Sequence, residues 1–248
     1  MPTPPSARAV ETLLRDLGPQ LRRGEIPEDR LESCPTGLPA LDRLLGGGFP
    51  RGRLSEIAGP ISSGRTSLTR MLLAHTTRSG AVVAVVDPGD AFDPVSAKQA
   101  GVDLGRVLWV RPPRLRAALR STERLLQAGG FALILLDLAR GSPGASGPSP
   151  AHPPASPDER DVPLASWLRL ARAAAASRTA LVVLATRRCT GTAAQLAIET
   201  EPAGSRFTGV PALLEGLTAR ATVVRSRGGP GAASRGRLTW SVTPSGRP

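Results

Sequence analysis

A chain of 248 residues, 40% of them hydrophobic, is long enough for one domain with a sizeable core and short extensions. Its formal net charge of +12 and pI near 11.5 point to a polyanionic partner, nucleic acid first of all. Aromatic residues at only 3% argue against base-stacking platforms and leave the phosphate backbone as the contact. Cys34 and Cys189 lack metal spacing, and with only His75 and His152 beside them they exclude a zinc site of the usual ligands. Both read as buried or neutral thiols of a reducing compartment. No apolar run approaches a membrane span and Met1 to Ser6 carries no signal-peptide core, so no membrane association and a cytoplasmic location are expected.

In chain order, residues 7–23 predict an amphipathic helix, with Val10, Leu13, Leu14, Leu17 and Leu21 on one side. A polar connector follows over Gly24 to Pro35, then a helix over Thr36 to Leu45 closed by Gly46-Gly47-Gly48. Leu54 to Ala58 reads as a buried strand and Thr66 to Thr77 as a helix. Ala81 to Asp87 is the apolar run of a parallel strand buried on both faces. Asp93 to Ala100 suits a short helix, Val107 to Val110 a strand, Leu115 to Ala128 a helix, and Phe131 to Asp137 another strand.

Gly141 to Pro163 is dense in Pro, Gly, Ser and Ala and reads as a mobile loop or insertion. Leu164 to Ala176 resumes as a helix and Ala180 to Ala185 as a strand, while Thr190 to Val210 reads as irregular. Leu217 to Arg225 and Arg237 to Val242 read as paired strands around Gly228-Gly229-Pro230-Gly231. Residues 1–35 are then an N-terminal helix and connector. Residues 36–248 are one α/β domain with a mostly parallel central sheet flanked by helices and with basic C-terminal strands.

Between the strand at 54–58 and the helix at 66–77 stands Gly59-Pro60-Ile61-Ser62-Ser63-Gly64-Arg65-Thr66. This is the phosphate-binding P-loop pattern G-x-x-x-x-G-K-[ST] with arginine in place of lysine. Such a loop turns several backbone N–H groups toward a phosphate, and the helix N-terminus adds positive potential. Gly59, Pro60, Ser62, Ser63, Gly64, Arg65, Thr66 and Ser67 are therefore the nucleotide-binding set, with Arg65 toward the outer phosphates and Thr66 on Mg²⁺. Arg65 keeps the charge but not the compact shape of an ammonium, so it serves binding better than transfer chemistry. Lys98 is the only lysine in the chain. Arg65 thus reads either as that bias or as relaxed catalysis. The strand ending in Asp137 adds a Walker B element, whose carboxylate can hold the Mg²⁺ shell.

With these residues in place, the chain resembles the RecA recombinase core. The resemblance is carried by Thr36-Gly37, Leu41-Asp42, Gly46-Gly47-Gly48, Pro50-Arg51-Gly52-Arg53, Glu56-Ile57, the loop itself, Asp93-Pro94, Ala97-Lys98 and Gly101-Val102-Asp103. It runs from about residue 36 to 137 and implies a RecA-like domain binding ATP and Mg²⁺, with Asp93 near the base. It also implies single-stranded DNA held without sequence preference, and self-association. Arg225 and Arg227 match a basic pair that reaches a neighbouring subunit's nucleotide, or else they are a basic edge strand. Arg188 and Arg206 are the bases of a region resembling the second DNA-binding loop.

Within that superfamily, Asp87-Pro88, Leu108-Trp109-Val110-Arg111-Pro112 and Arg225-Ser226-Arg227-Gly228-Gly229 are similar to ImuA proteins. These are RecA-like, damage-inducible factors that work beside an ImuB polymerase homologue and an error-prone polymerase in translesion synthesis. Two departures from RecA stand out. The catalytic glutamate position holds Gly89, with Asp90 the one nearby substitute for a base, and the glutamine that couples nucleotide to DNA falls at Thr186. Both argue for weak or absent hydrolysis in a DNA-repair accessory protein. The retained Gly59, Gly64, Thr66 and Asp137 and the Arg225/Arg227 pair support the alternative, an active DNA-dependent ATPase that forms recombinase filaments.

Overall fold

The computed structural model describes residues 32–139, 162–209, 213–227 and 237–242. The expected helix at 7–23, most of the 141–163 loop and the turn at 228–231 lie outside the described residues. The chain divides into two units, Met1–Arg30 and Leu31–Pro248, and every described residue falls in the second.

Among the described residues the elements run β1 (Ser33–Cys34), α1 (Pro39–Leu44), β2 (Phe49–Pro50), β3 (Leu54–Ala58), α2 (Arg65–Arg78), β4 (Val83–Val86), α3 (Pro94–Gln99) and β5 (Val107–Val110). They continue with α4 (Leu115–Ala128), β6 (Leu133–Asp137), α5 (Leu164–Ser177), β7 (Ala180–Ala185), β8 (Leu196–Thr208), β9 (Leu213–Ser226) and β10 (Arg237–Val242). Eight strands form one sheet in the order β10-β9-β8-β3-β7-β6-β4-β5. From β8 to β5 the neighbours are parallel, and β9 and β10 join antiparallel. This is the mostly parallel α/β sheet that the alternating strand and helix patterns predict.

The parity of each apolar run decides its two faces. Ile57, Val83, Val85, Leu133, Leu135, Val182 and Leu184 pack on one side with Leu68, Leu72 and Leu73 of α2, Ala97 of α3 and Leu41 of α1. Leu54, Ala84, Val86, Ile134, Leu136, Leu181 and Val183 pack on the other with Ala118 and Leu126 of α4 and Trp167, Leu170 and Ala174 of α5. Strands covered on both faces have no room for polar alternation, which is why they read as continuous apolar runs.

One expectation is corrected. Within the stretch expected to be irregular, Leu196–Thr208 is a 13-residue strand. Only its first half carries buried positions, and Pro202 and Gly204 interrupt any strand pattern. Pairing with β9, with register shifts near Ala197, Pro202 and Arg206, holds the rest extended. The C-terminal pair is as expected, with Arg237–Val242 antiparallel to Leu217–Thr222.

Candidate functional site: a glycine loop closed by its own arginine

Strand register gathers the site at the carboxyl edge of the sheet. Ala58 of β3 lies beside Ala185 of β7 and Glu199 of β8, so Gly59 leaves the sheet next to Thr200. Val86 of β4 is paired with Leu136 of β6, which brings Asp87 level with Asp137. Only glycine fits at 59, since a Cβ there would collide with the Thr200 hydroxyl and carbonyl and with Ser63 Oγ. Gly64 takes a φ of 82° and serves as the N-cap of α2.

Inside the loop, the buried Ser63 and Thr200 hydroxyls share a hydrogen bond of 2.7 Å, and Thr200 also reaches Ala58 O at 3.3 Å. Arg65 is 6% exposed, and its guanidinium donates to the carbonyl of Gly59. Burial lowers its pKa, and the negative charge of Asp137 partly offsets that. The loop thus carries its own cation, fastened to its own backbone. Thr66, Ser62 and Pro60 are exposed, and Ser67 is half-buried at the start of α2.

Asp137 ends β6 with its carboxylate accepting from Ala139 N at 2.9 Å. Burial, aided by the like charge of Asp87, pushes its pKa up to about 7 against the backbone bond and Arg65. Asp87 is equally enclosed, but its oxygens accept from the amides of Gly89, Ala91 and Phe92 at 3.2, 3.1 and 2.8 Å. It therefore shapes the turn after β4. Gly89 places no carboxylate there. Asp90 is in left-handed backbone (φ 52°) and pairs with Arg111 at 2.5 Å, while Arg111 lies over the Trp109 ring at 4.8 Å. The substitute base is thereby committed to an ion pair on the outer side of the turn.

The remaining expected residues fall in separate places. Asp93 caps α3, accepting from the amides of Val95 and Ser96 and from the Ser96 hydroxyl, and these bonds, the hydroxyl's first, hold its carboxyl below the ordinary 3.8. Arg225 donates to Gly191 O at 3.0 Å and Arg227 to Thr192 O at 3.4 Å, so both serve the loop before β8 in their own chain. Arg188 lies 3.7 Å from Glu56, and Arg206 is exposed on β8. Thr186 is exposed just past β7.

Sequence reasoning named Glu56 only as part of the resemblance and missed its structural role. Fully buried in the middle of β3, it accepts from Cys189 N (2.6 Å), Thr190 N (3.1 Å) and the Thr190 hydroxyl (2.7 Å). It fixes the turn between β7 and β8, and a lone charge in an otherwise apolar strand was the available signal. Cys34 is buried and its thiol is pushed up to about 11 by burial, while Cys189 is exposed rather than buried. Although its surface is open, protein packed around the Cys189 thiol desolvates it in part, and that, followed by the Glu56 charge, pushes it up to about 12.

The residues present fit a phosphate chain at Gly59 to Thr66, provided Arg65 leaves the Gly59 carbonyl. Thr66 and Asp137 are the residues that would hold a magnesium ion, with the buried Asp137 carboxyl, pushed up to about 7 by desolvation, giving up its proton to do so. No group of three or more His, Cys, Asp or Glu that could hold a metal occurs among the described residues.

A parallel sheet with a glycine loop between a central strand and its helix, and a buried aspartate two strands away, defines the P-loop α/β class. Residues 9–144 match the RecA N-terminal domain family, and the chain belongs to that family. It is 42% identical over 121 residues to Protein RecA of Streptomyces avermitilis, covering 48% of this chain and 32% of that protein. It is 39% identical over 132 residues to Protein RecA of Thermus aquaticus (52% and 39%) and 40% identical over 141 residues to that of Herpetosiphon aurantiacus (54% and 39%). The chain thus spans about a third of the length of the curated relatives it matches.

Proposed function

We propose that this chain is a RecA-like DNA-repair accessory protein of the ImuA kind, acting in damage-induced (SOS) translesion mutagenesis with weak or absent ATP hydrolysis. One observation carries the reading: the Arg65 guanidinium is bonded to Gly59, the first residue of the loop it would have to serve. In the turn after β4, where the catalytic glutamate would stand, no described residue offers a free carboxylate to orient a water. Asp87 is spent on three backbone amides, Gly89 has no side chain, and Asp90 is paired with Arg111. A general base has to reach the proton it abstracts.

ATP binding remains part of the proposal. The loop from Gly59 to Gly64 would cradle the phosphates, chiefly through the amides of Ser62 and Gly64, with Thr66 and Asp137 as the Mg²⁺ ligands. The amides of Gly59 and Ser63 donate instead to Ala185 O (3.2 Å) and Pro60 O (3.3 Å). Arg65 would turn outward and Asp137 would lose its proton. The energetic demand of those two changes supports a site that binds nucleotide weakly. The partners proposed are single-stranded DNA, bound without sequence preference, an ImuB-like polymerase homologue and an error-prone polymerase, in the cytoplasm.

The test is genetic. Arg65→Ala should leave damage-induced mutagenesis nearly intact while deletion of the gene abolishes it. A point mutant that behaves like the deletion contradicts the proposal. The filament-forming ATPase stays as the second reading because Gly59, Gly64, Thr66 and Asp137 are all retained at the carboxyl edge of the sheet.

A further inference from the structure

We infer that the outer face of α4 is a docking surface for the phosphate backbone of single-stranded DNA, an inference that rests on the proposed DNA-binding role. Helix α4 buries Ala118, Thr122 and Leu126 against the sheet. Two residues away, and therefore about 200° around the helix, stand Arg116, Arg120 and Arg124, all exposed. Their fourfold spacing sets the three cations in one row, rising about 6 Å from each to the next. Arg114, also exposed, extends the row at the amino end of the helix.

Three observations mark this row as more than a solvated face. No carboxylate among the described residues pairs with any of these four arginines, although ion pairs form close by. Glu123, on the same helix, is turned to Arg169 of α5 at 2.9 Å, and Asp90 is held by Arg111. Second, an open, shallow hollow of about 360 Å³ lies on this face, lined by Pro113, Ala117, Ser121 and the four arginines. Small side chains at 117 and 121 let a chain approach the helix while the guanidinium groups reach its phosphates. Third, of the two arginines in the region resembling the second DNA-binding loop, Arg188 faces the Glu56 carboxylate at 3.7 Å, which leaves that loop with less free charge than α4. A chain of net charge +12 has to present that charge somewhere, and α4 presents a continuous strip of it. The occupant is a polyanion, and single-stranded DNA fits best, because a flexible backbone can follow a straight row through electrostatic contact alone.

The test is salt-dependent binding of a fluorescent oligothymidylate to the full chain. Wild type is compared with the triple variant Arg116→Gln, Arg120→Gln, Arg124→Gln and with a control triple, Arg43→Gln, Arg78→Gln, Arg178→Gln, which removes the same charge from exposed positions elsewhere. The α4 variant should lose about tenfold or more in affinity and about 2 in log–log salt slope, at about 0.7 per phosphate contact. The control should stay within about threefold, and Arg→Lys at the three α4 positions should retain binding, because a point charge suffices for a phosphate. Equal loss in both triples, or none in the α4 variant, overturns the assignment while DNA binding by wild type stands. Absence of DNA binding by wild type overturns the proposed role and the surface together. Equal α4-dependent affinity for polyglutamate would mark an acidic protein as the occupant and overturn it as well.

Discussion

The Arg65 guanidinium donates a hydrogen bond to the carbonyl of Gly59, six residues earlier in the same loop. In a working P-loop the basic residue at this position reaches the outer phosphates. Here its charge is turned inward, buried, and balanced in part by Asp137. The loop carries its own cation, bonded to its own backbone, which is the physical content of the proposal that hydrolysis has been relaxed.

Replacing the wide guanidinium by an ammonium should reopen the cradle. Arg65→Lys is expected to raise ATP affinity by about fivefold or more, on the order of 1 kcal/mol, in an equilibrium titration. It should not raise turnover, because no carboxylate is added.

Turnover should need the glutamate as well. A Cβ at Gly89 meets only Asp87 Oδ1, at 3.8 Å, so a side chain fits there without moving backbone. Arg65→Lys with Gly89→Glu is expected to hydrolyse ATP measurably above either single variant. A double variant as inactive as its parents would mean that the defect lies elsewhere in the site.

The buried Asp137 carries a pH signature. Its folded pKa of about 7 stands above the ordinary 3.8, so between these values the folded state holds more protons than the unfolded chain. Its contribution therefore makes stability fall as pH rises from about 4 to about 7 and levels off above that. Asp137→Asn removes this slope. Urea melts should show the variant gaining on wild type steadily across that window.

Removing the buried Glu56 carboxylate strands the Cys189 and Thr190 amides. Glu56→Ala is expected to cost about 2–3 kcal/mol, read as a lower midpoint of chemical unfolding. A change within about 0.5 kcal/mol would show that water replaces the carboxylate, against the account of this turn.

Much of this architecture was legible before any coordinates. Val83–Val86, Leu133–Asp137 and Ala180–Ala185 announce themselves because burial on both faces forbids polar residues. The glycine loop was legible because Gly59 and Gly64 meet backbone demands that no other residue satisfies as well. Strand β8 was not legible, since its outer half is held by pairing with β9 rather than by burial of its own side chains. The fates of individual charges were equally hidden. That Asp90 turns to Arg111, that Glu56 reaches Thr190 across 134 residues, and that Arg65 folds onto Gly59 are consequences of register and packing. Sequence spacing names such residues without saying which partner each one finds.

The most direct measurement is steady-state ATP hydrolysis by the full chain, with and without single-stranded DNA, against Asp137→Ala as background. The account predicts turnover indistinguishable from that variant under both conditions. DNA-stimulated hydrolysis that disappears in Asp137→Ala would contradict it and restore the filament-forming ATPase as the function of this site.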